Sequence, residues 1–328
     1  MSRAPNPELR FAVTPDGWAL SLSHYQGPPG APTVILSGGY GCNRHFMDFK
    51  QLSLARHLNA QGLDVWVAEL RGRGLSHATP MCARPTTWNF DELATIDVPT
   101  LIAYVRRAGA GPICWLGHSM GGMAGYAHLS TATREETMPD ALVTIASPIE
   151  FPVLKTPKLS RLAYKAIHLP LPKRQIPLRD AAARAWPWLI KTNLVSLAFN
   201  IDNIDPRLAM QASLDSFSNV PQEKLLQMAG WALSRKFESA DGSVDYRAKL
   251  AGAHTPSLLI SGAGDKMGTP VGVAAALNAL GSSNKRHVVF SRINGYSADY
   301  GHLDLVLGRR ASEEVFPVVG EWILETLS

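Results

Sequence analysis

The sequence predicts an α/β fold with a mostly parallel central sheet, helices on both of its faces and an inserted helical cap. Three observations carry that expectation. Short apolar, β-branched runs recur at Val34–Leu36, Val65–Ala68, Ile113–Leu116, Leu142–Ala146, Leu258–Ile260 and Val288–Phe290, and such runs suit strands buried on both faces. Helix-like segments alternate with them at 44–60, 99–107, 120–132, 270–280 and 313–327, the rhythm of crossover connections. Between 151 and 250 the strand rhythm stops, and a stretch rich in Pro, Trp and Leu takes over with helical patterning. The expected division is a core of residues 1–150 and 251–328 and a cap, or lid, of residues 151–250. A chain of 328 residues, 46% of them hydrophobic, is long enough to bury a large core.

Taken in order, the first element is an antiparallel strand. Trp18, Leu20 and Leu22 alternate with Ser21 and Ser23 after the turn Thr14-Pro15-Asp16-Gly17. The strand around Val34 then runs into Ser37-Gly38-Gly39-Tyr40-Gly41, where glycines let a backbone approach a ligand closely. This loop lacks both the Gly-x-Gly-x-x-Gly spacing and the P-loop lysine of nucleotide sites. Ile113-Cys114-Trp115-Leu116 leads into Gly117-His118-Ser119-Met120-Gly121 and a helix-like run. Strand, tight turn and helix with a serine at the apex is the arrangement that lifts a nucleophilic hydroxyl clear of the backbone.

A serine hydroxyl needs a base to take its proton, and the base needs a carboxylate to orient it. Asp265 follows the run Ser257–Ser261 and Gly262-Ala263-Gly264, just past the C-terminal end of a strand. Open α/β sheets place their chemistry at such ends. His302 lies in Asp299-Tyr300-Gly301-His302-Leu303-Asp304, after the last strand, so the order Ser, Asp, His is the one this geometry uses. Glu150, shortly after the run Leu142–Ala146, is the reserve acid. His287 opens the last strand and is expected to face solvent or pair within the sheet. His118 adjoins Ser119 on a sharp turn, so it points away and packs under the turn or lines the pocket with Tyr40 and Cys42. Two backbone N–H groups must meet a developing oxyanion. Met120, after the nucleophile, supplies one and Gly39 the other, with Tyr40 as the alternative.

With these residues in place, the chain resembles an α/β-hydrolase, and more narrowly the acid-lipase branch. The run from Trp88 to Thr100, the loop Leu70-Arg71-Gly72-Arg73-Gly74-Leu75-Ser76 and Gly301-His302-Leu303-Asp304 carry the likeness, over roughly residues 30–150 and 255–328. Ser37 stands where many relatives have His, and Leu305 where the lipases have Phe. Polyester synthases share the features more loosely, but they use Cys where this chain has Ser119. The resemblance implies the α/β-hydrolase fold and a serine hydrolase that cleaves carboxylic esters with an apolar acyl group through Ser119, His302 and Asp265. An acyltransferase or thioesterase on the same triad is the alternative, and a non-catalytic binding protein of this fold a remoter one.

Charge is concentrated in the cap. Residues 151–191 hold nine Lys or Arg against the one acid Asp180, a net +8, whereas the whole chain is +5. Lys158–Leu169 reads as a basic amphipathic helix, and Trp186-Pro187-Trp188-Leu189-Ile190 adds apolar bulk. A solvated lid face, transient contact with an anionic lipid surface, or recognition of an anionic substrate would each use it. No nucleic-acid module accompanies the charge. No metal and no cofactor is expected, because Cys42, Cys82 and Cys114 are scattered without Cys-x-x-Cys spacing. Cys114 is expected in the core, and Met120 and Met123 are expected to pack behind the nucleophile. The odd cysteine count and the lack of an apolar N-terminal region suggest a reducing cytoplasm.

Overall fold

The computed structural model describes residues 6–151, 175–176, 179–180 and 195–328. Eight strands form its central sheet: β1 Glu8–Val13, β2 Trp18–Tyr25, β3 Thr33–Ser37, β4 Asp64–Ala68, β5 Ile113–His118, β6 Ala141–Ile145, β7 Ser257–Gly262 and β8 Lys285–Phe290. Their spatial order is β1-β2-β4-β3-β5-β6-β7-β8, and a two-residue strand, His77–Ala78, pairs with β2. From β4 to β8 all neighbours are parallel, and β1 and β2 form the antiparallel end. This is the α/β-hydrolase architecture. The turn at Thr14–Gly17 closes the β1–β2 hairpin, with the Thr14 N–H donating to Trp18 O at 2.8 Å and Gly17 at φ 91.

The burial of each strand follows its place in the sheet. β3, β5, β6 and β7 are buried throughout. At the edge, β8 buries Val288 and Phe290 and exposes Arg286, and a charged, alternating edge resists pairing with another chain. Alternation along β3 sends Val34 and Leu36 to one core layer and Ile35 to the other. The first layer is covered by α1 Leu54–Ala60 and α7 Ala311–Leu327, the second by α2 Val98–Arg107, α3 Met120–Thr131 and α6 Pro270–Ala279. Between β6 and β7 in the chain lie α4 Pro206–Ser216 and α5 Gln222–Ser234. Lys158–Leu169 and Trp186–Ile190 lie outside the described residues.

One expected helix is shorter than its pattern. Of 44–60 only Leu54–Ala60 is α-helical, preceded by a 3₁₀ turn at Arg44–Phe46 and a small hairpin pairing Asp48–Phe49 with Leu52–Ser53. Side-chain bonds outbid the helix there. Asp48 accepts from Ser53 Oγ at 2.7 Å and from Tyr25 Oη at 2.5 Å, and Ser53 caps α1 by accepting from Arg56 N. A second departure from regular helix has a clear use. The run Phe90–Glu92 opens with a capping box made by Asn89 and Glu92, and a π-helical turn at Leu93–Asp97 follows. The turn brings Asp97 onto Arg71, which it meets at 2.8 Å (Nε) and through the Arg71 N–H at 2.9 Å.

Candidate active site

Ser119 sits between β5 and α3 at φ 50, ψ −120, a backbone region that side chains rarely occupy. Its neighbours make this turn possible. A Cβ on Gly117 would lie 2.2 Å from Gly121 C, and one on Gly121 would lie 2.6 Å from Ser37 O. The Ser119 N–H is tied to Ile145 O at 2.7 Å, so the turn is pinned to the end of β6.

The turn delivers the Ser119 hydroxyl to His302. Ser119 Oγ is 2.9 Å from His302 Nε2, and His302 Nδ1 is 2.7 Å from Asp265 Oδ2. A carboxylate can only accept, so Nδ1 carries the proton and Nε2 is left as the acceptor for the serine O–H. Asp265 follows β7 and is aimed by its own loop: Oδ1 accepts from the N–H groups of Met267 and Gly268, both at 2.8 Å. Asp265 and His302 are both buried, and Ser119 is partly exposed. The His302 loop is held in turn by buried Asp304, which accepts from Gly301 N at 2.9 Å, Asn203 Nδ2 at 2.7 Å and Asn200 N at 3.1 Å.

His118 faces away from the hydroxyl, as adjacent residues on a sharp turn must. Its ring is fully buried against Phe46, and Nε2 donates to the backbone oxygen of His302 at 2.9 Å. Burial, aided by the nearby His302, pushes its pKa down to about 3. It is a neutral brace between the turn and the His302 loop. Glu150 is not brought to His302. Its carboxylate pairs with Arg235 at 2.7 Å and Arg247 at 3.4 Å. His287 pairs within the sheet, with Nε2 2.8 Å from Ser261 Oγ.

The loop after β3 lies against Ser119. A Cβ on Gly39 would be 3.2 Å from Ser119 Cβ and 3.0 Å from His118 Nδ1. The carbonyl of Gly38 accepts from Arg73 Nη1 at 2.9 Å. Because a peptide is planar and trans, fixing that carbonyl aims the Gly39 N–H the opposite way. Met120 is the first residue of α3, and its N–H has no acceptor within the helix. Cys42 is buried, with burial lifting its thiol to about 11, and Cys114, Met120 and Met123 are buried in the core. Tyr40 is partly buried, and its hydroxyl has no partner.

Two buried cations here escape a sequence reading. Arg73 comes from the loop after β4, where Gly72 and Gly74 adopt φ 69 and 50 and a Cβ at either would strike Trp88 or Glu69. Lys224 comes from α5, and its Nζ stands 4.8 Å above the Tyr40 ring. The sequence marks Arg71-Gly72-Arg73-Gly74 only as a loop element, and nothing near Lys224 marks it as buried. Among the described residues, no cluster of three or more His, Cys, Asp or Glu could hold a metal.

Residues 31–293 match the family model Hydrolase_4, described as serine aminopeptidase, S33. The chain belongs to this family of α/β-hydrolases. Among curated members of the wider fold, bovine gastric triacylglycerol lipase is 29% identical over 141 residues, 38% of this chain and 35% of that enzyme. The chain thus spans about a third of the length of the curated relatives that it matches first. Triacylglycerol lipase 1 of Arabidopsis thaliana is 23% identical over 339 residues, covering 92% of this chain and 83% of that enzyme. A soluble variant of monoglyceride lipase from Saccharomyces cerevisiae shares the fold at TM-score 0.64 with 15% identity, covering 100% and 98% of the two chains. A thermophilic esterase from Thermogutta terrifontis does so at TM-score 0.61 with 17% identity, covering 98% and 100%. No helix among the described residues of this Hydrolase_4 member is long and apolar enough to cross a membrane.

Proposed function

We propose that the protein is a serine hydrolase of carboxylic esters with an apolar acyl part. His302, oriented by Asp265, takes the proton of Ser119 as Oγ attacks the ester carbonyl. The N–H groups of Gly39 and Met120 stabilise the oxyanion. His302 then protonates the departing alcohol, and water releases the acyl group from Ser119 by the reverse path. The observation that carries the reading is the chain of contacts at 2.9 and 2.7 Å from Ser119 through His302 to Asp265, with Ser119 held at φ 50. The lipase names of the curated relatives favour an ester over the peptide bond that the family's description names.

The test is hydrolysis of p-nitrophenyl esters of graded acyl length, wild type beside Ser119→Ala, with an aminoacyl p-nitroanilide as the amide control. Ester turnover that disappears in Ser119→Ala supports the reading, and the preferred length sizes the acyl pocket. Turnover surviving in Ser119→Ala, or cleavage of the anilide alone, would refute it. Product appearing as a new ester when an alcohol is added would redirect the same triad to acyl transfer.

A further inference from the structure

Buried cations normally have carboxylate partners, and two beside this site do not. Arg73 is 1% exposed and uses only Nη1, on Gly38 O, while its Nε and Nη2 have no hydrogen-bond partner. Lys224 is also 1% exposed, and no carboxylate among the described residues forms an ion pair with it. The third group is the buried, unpartnered hydroxyl of Tyr40, whose ring lies beneath the Lys224 ammonium. Tyr40 belongs to the loop 38–42, Arg73 donates to its Gly38 carbonyl, Lys224 lies over its Tyr40 ring, and Gly39 of the same loop lies against Ser119. Burial pushes the Lys224 ammonium well below the ordinary lysine value, and the Arg73 guanidinium pushes it the same way.

Stranding two cations and a hydroxyl is costly. An entering anion would relieve all three at once, because a guanidinium edge, an ammonium and a phenol O–H together match the acceptors of one compact carboxylate. We propose that Lys224, Arg73 and Tyr40 form a carboxylate-binding subsite, so that the ester substrate carries a free carboxylate besides its scissile bond. Arg73 then has two tasks, bracing Gly38 and binding the anion, and α5 completes the subsite by bringing Lys224 over the loop. The inference rests on the serine-esterase reading for its chemistry and, for its location, on the unpartnered Arg73 and Tyr40 donors and on Lys224 buried over the Tyr40 ring.

The experiment compares matched esters. Mono(4-nitrophenyl) glutarate against 4-nitrophenyl pentanoate places the charge on the acyl side. 4-Carboxyphenyl pentanoate against phenyl pentanoate places it on the alcohol side. The expected result is a higher kcat/KM for one anionic ester than for its neutral partner. In Lys224→Met that ratio should fall about 10- to 100-fold, the worth of one charge-assisted hydrogen bond, and Lys224→Arg should restore part of it. Lys224→Met removes an unpaired buried charge and should melt no lower than wild type, whereas a lysine with a purely structural role would lower Tm. Wild type that prefers both neutral esters, or a ratio unmoved in Lys224→Met, overturns the proposal. If no ester is turned over, the esterase reading fails separately. The subsite is then decided by calorimetry of glutarate on Ser119→Ala: binding weakened tenfold or more by Lys224→Met supports it, and equal binding or none overturns it.

Discussion

Ser119, held at φ 50, carries backbone strain of about 1–3 kcal/mol for a residue with a side chain. The fold sustains it because the flanking glycines give the turn room that a Cβ would fill and Ile145 O holds the serine N–H. Its partners bear different burdens. Asp265 accepts three hydrogen bonds, so Asp265→Asn puts an amide where an acceptor must face Nδ1–H. The expected loss in kcat is about 10⁴-fold, the effect of the wrong imidazole tautomer in the protease case. An Asp265→Asn enzyme near wild-type activity, with a dead Glu150→Gln, would move the role to Glu150. His118 makes a different prediction. The folded chain keeps it neutral down to about pH 3, while an unfolded chain takes the proton near the ordinary histidine value of 6.5. Between those values the unfolded state binds more protons. The contribution is therefore fully present above pH 6.5 and is lost as pH falls towards 3. Urea unfolding across that interval should show a steeper loss in wild type than in His118→Asn, by up to about 1.4 kcal/mol per pH unit. Parallel curves would exclude His118 as the source.

At the level of elements, the site depends on loops fastened to one another. The loop after β4 is anchored by Arg71, which meets Asp97 from the π-helical turn and Asp16 from the β1–β2 turn at 2.7 Å. The Arg71–Asp97 contact is fully buried. Removing one side leaves an uncompensated charge, so Asp97→Ala should cost about 3–5 kcal/mol in urea unfolding. The pair Asp97→Leu with Arg71→Met should recover most of it, and a single variant as stable as wild type would show that the pair carries little. From the same loop Arg73 reaches Gly38, so loosening the anchor should also lower turnover. Gly121 offers a sharper steric test. A Cβ there would meet Ser37 O at 2.6 Å and Gly38 O at 2.7 Å, both backbone. Gly121→Ala must therefore displace the loop after β3 or the turn at Ser119, and kcat/KM for any ester should fall even where the protein stays folded.

Across the whole molecule, two carboxylates tie the segment between β6 and β7 to the rest. Asp91 accepts from Gln227 Nε2 at 2.6 Å, Tyr246 Oη at 2.9 Å and Ala240 N at 2.8 Å. Asp304 accepts from Asn200 and Asn203 on that segment and from Gly301 beside His302. The segment between β6 and β7 and the loop that carries His302 are thereby fastened to one acceptor. Asp304→Ala should cost about 2–4 kcal/mol through lost bonds to a charged acceptor, and should lower kcat more than it changes KM. A variant with reduced stability and wild-type kcat would confine Asp304 to a structural role.

The parallel sheet, its helices and the positions of Ser119, Asp265 and His302 could be read along the chain because each leaves a local mark. Buried strands are short and apolar, a sharp turn needs glycine at set offsets, and chain order limits where a base can come from. The shortened helix at 44–60 was not legible, since it depends on Asp48 meeting Tyr25 and Ser53 across a fold not yet formed. The same holds for which carboxylate reaches His302. Asp265 and Glu150 both follow strands, and the choice follows from Arg235 and Arg247 arriving on Glu150 while the Met267 and Gly268 N–H groups turn Asp265 inward. Arg73 and Lys224 are the extreme case. A lysine and an arginine carry no local sign of burial, because burial is a property of everything that packs around them.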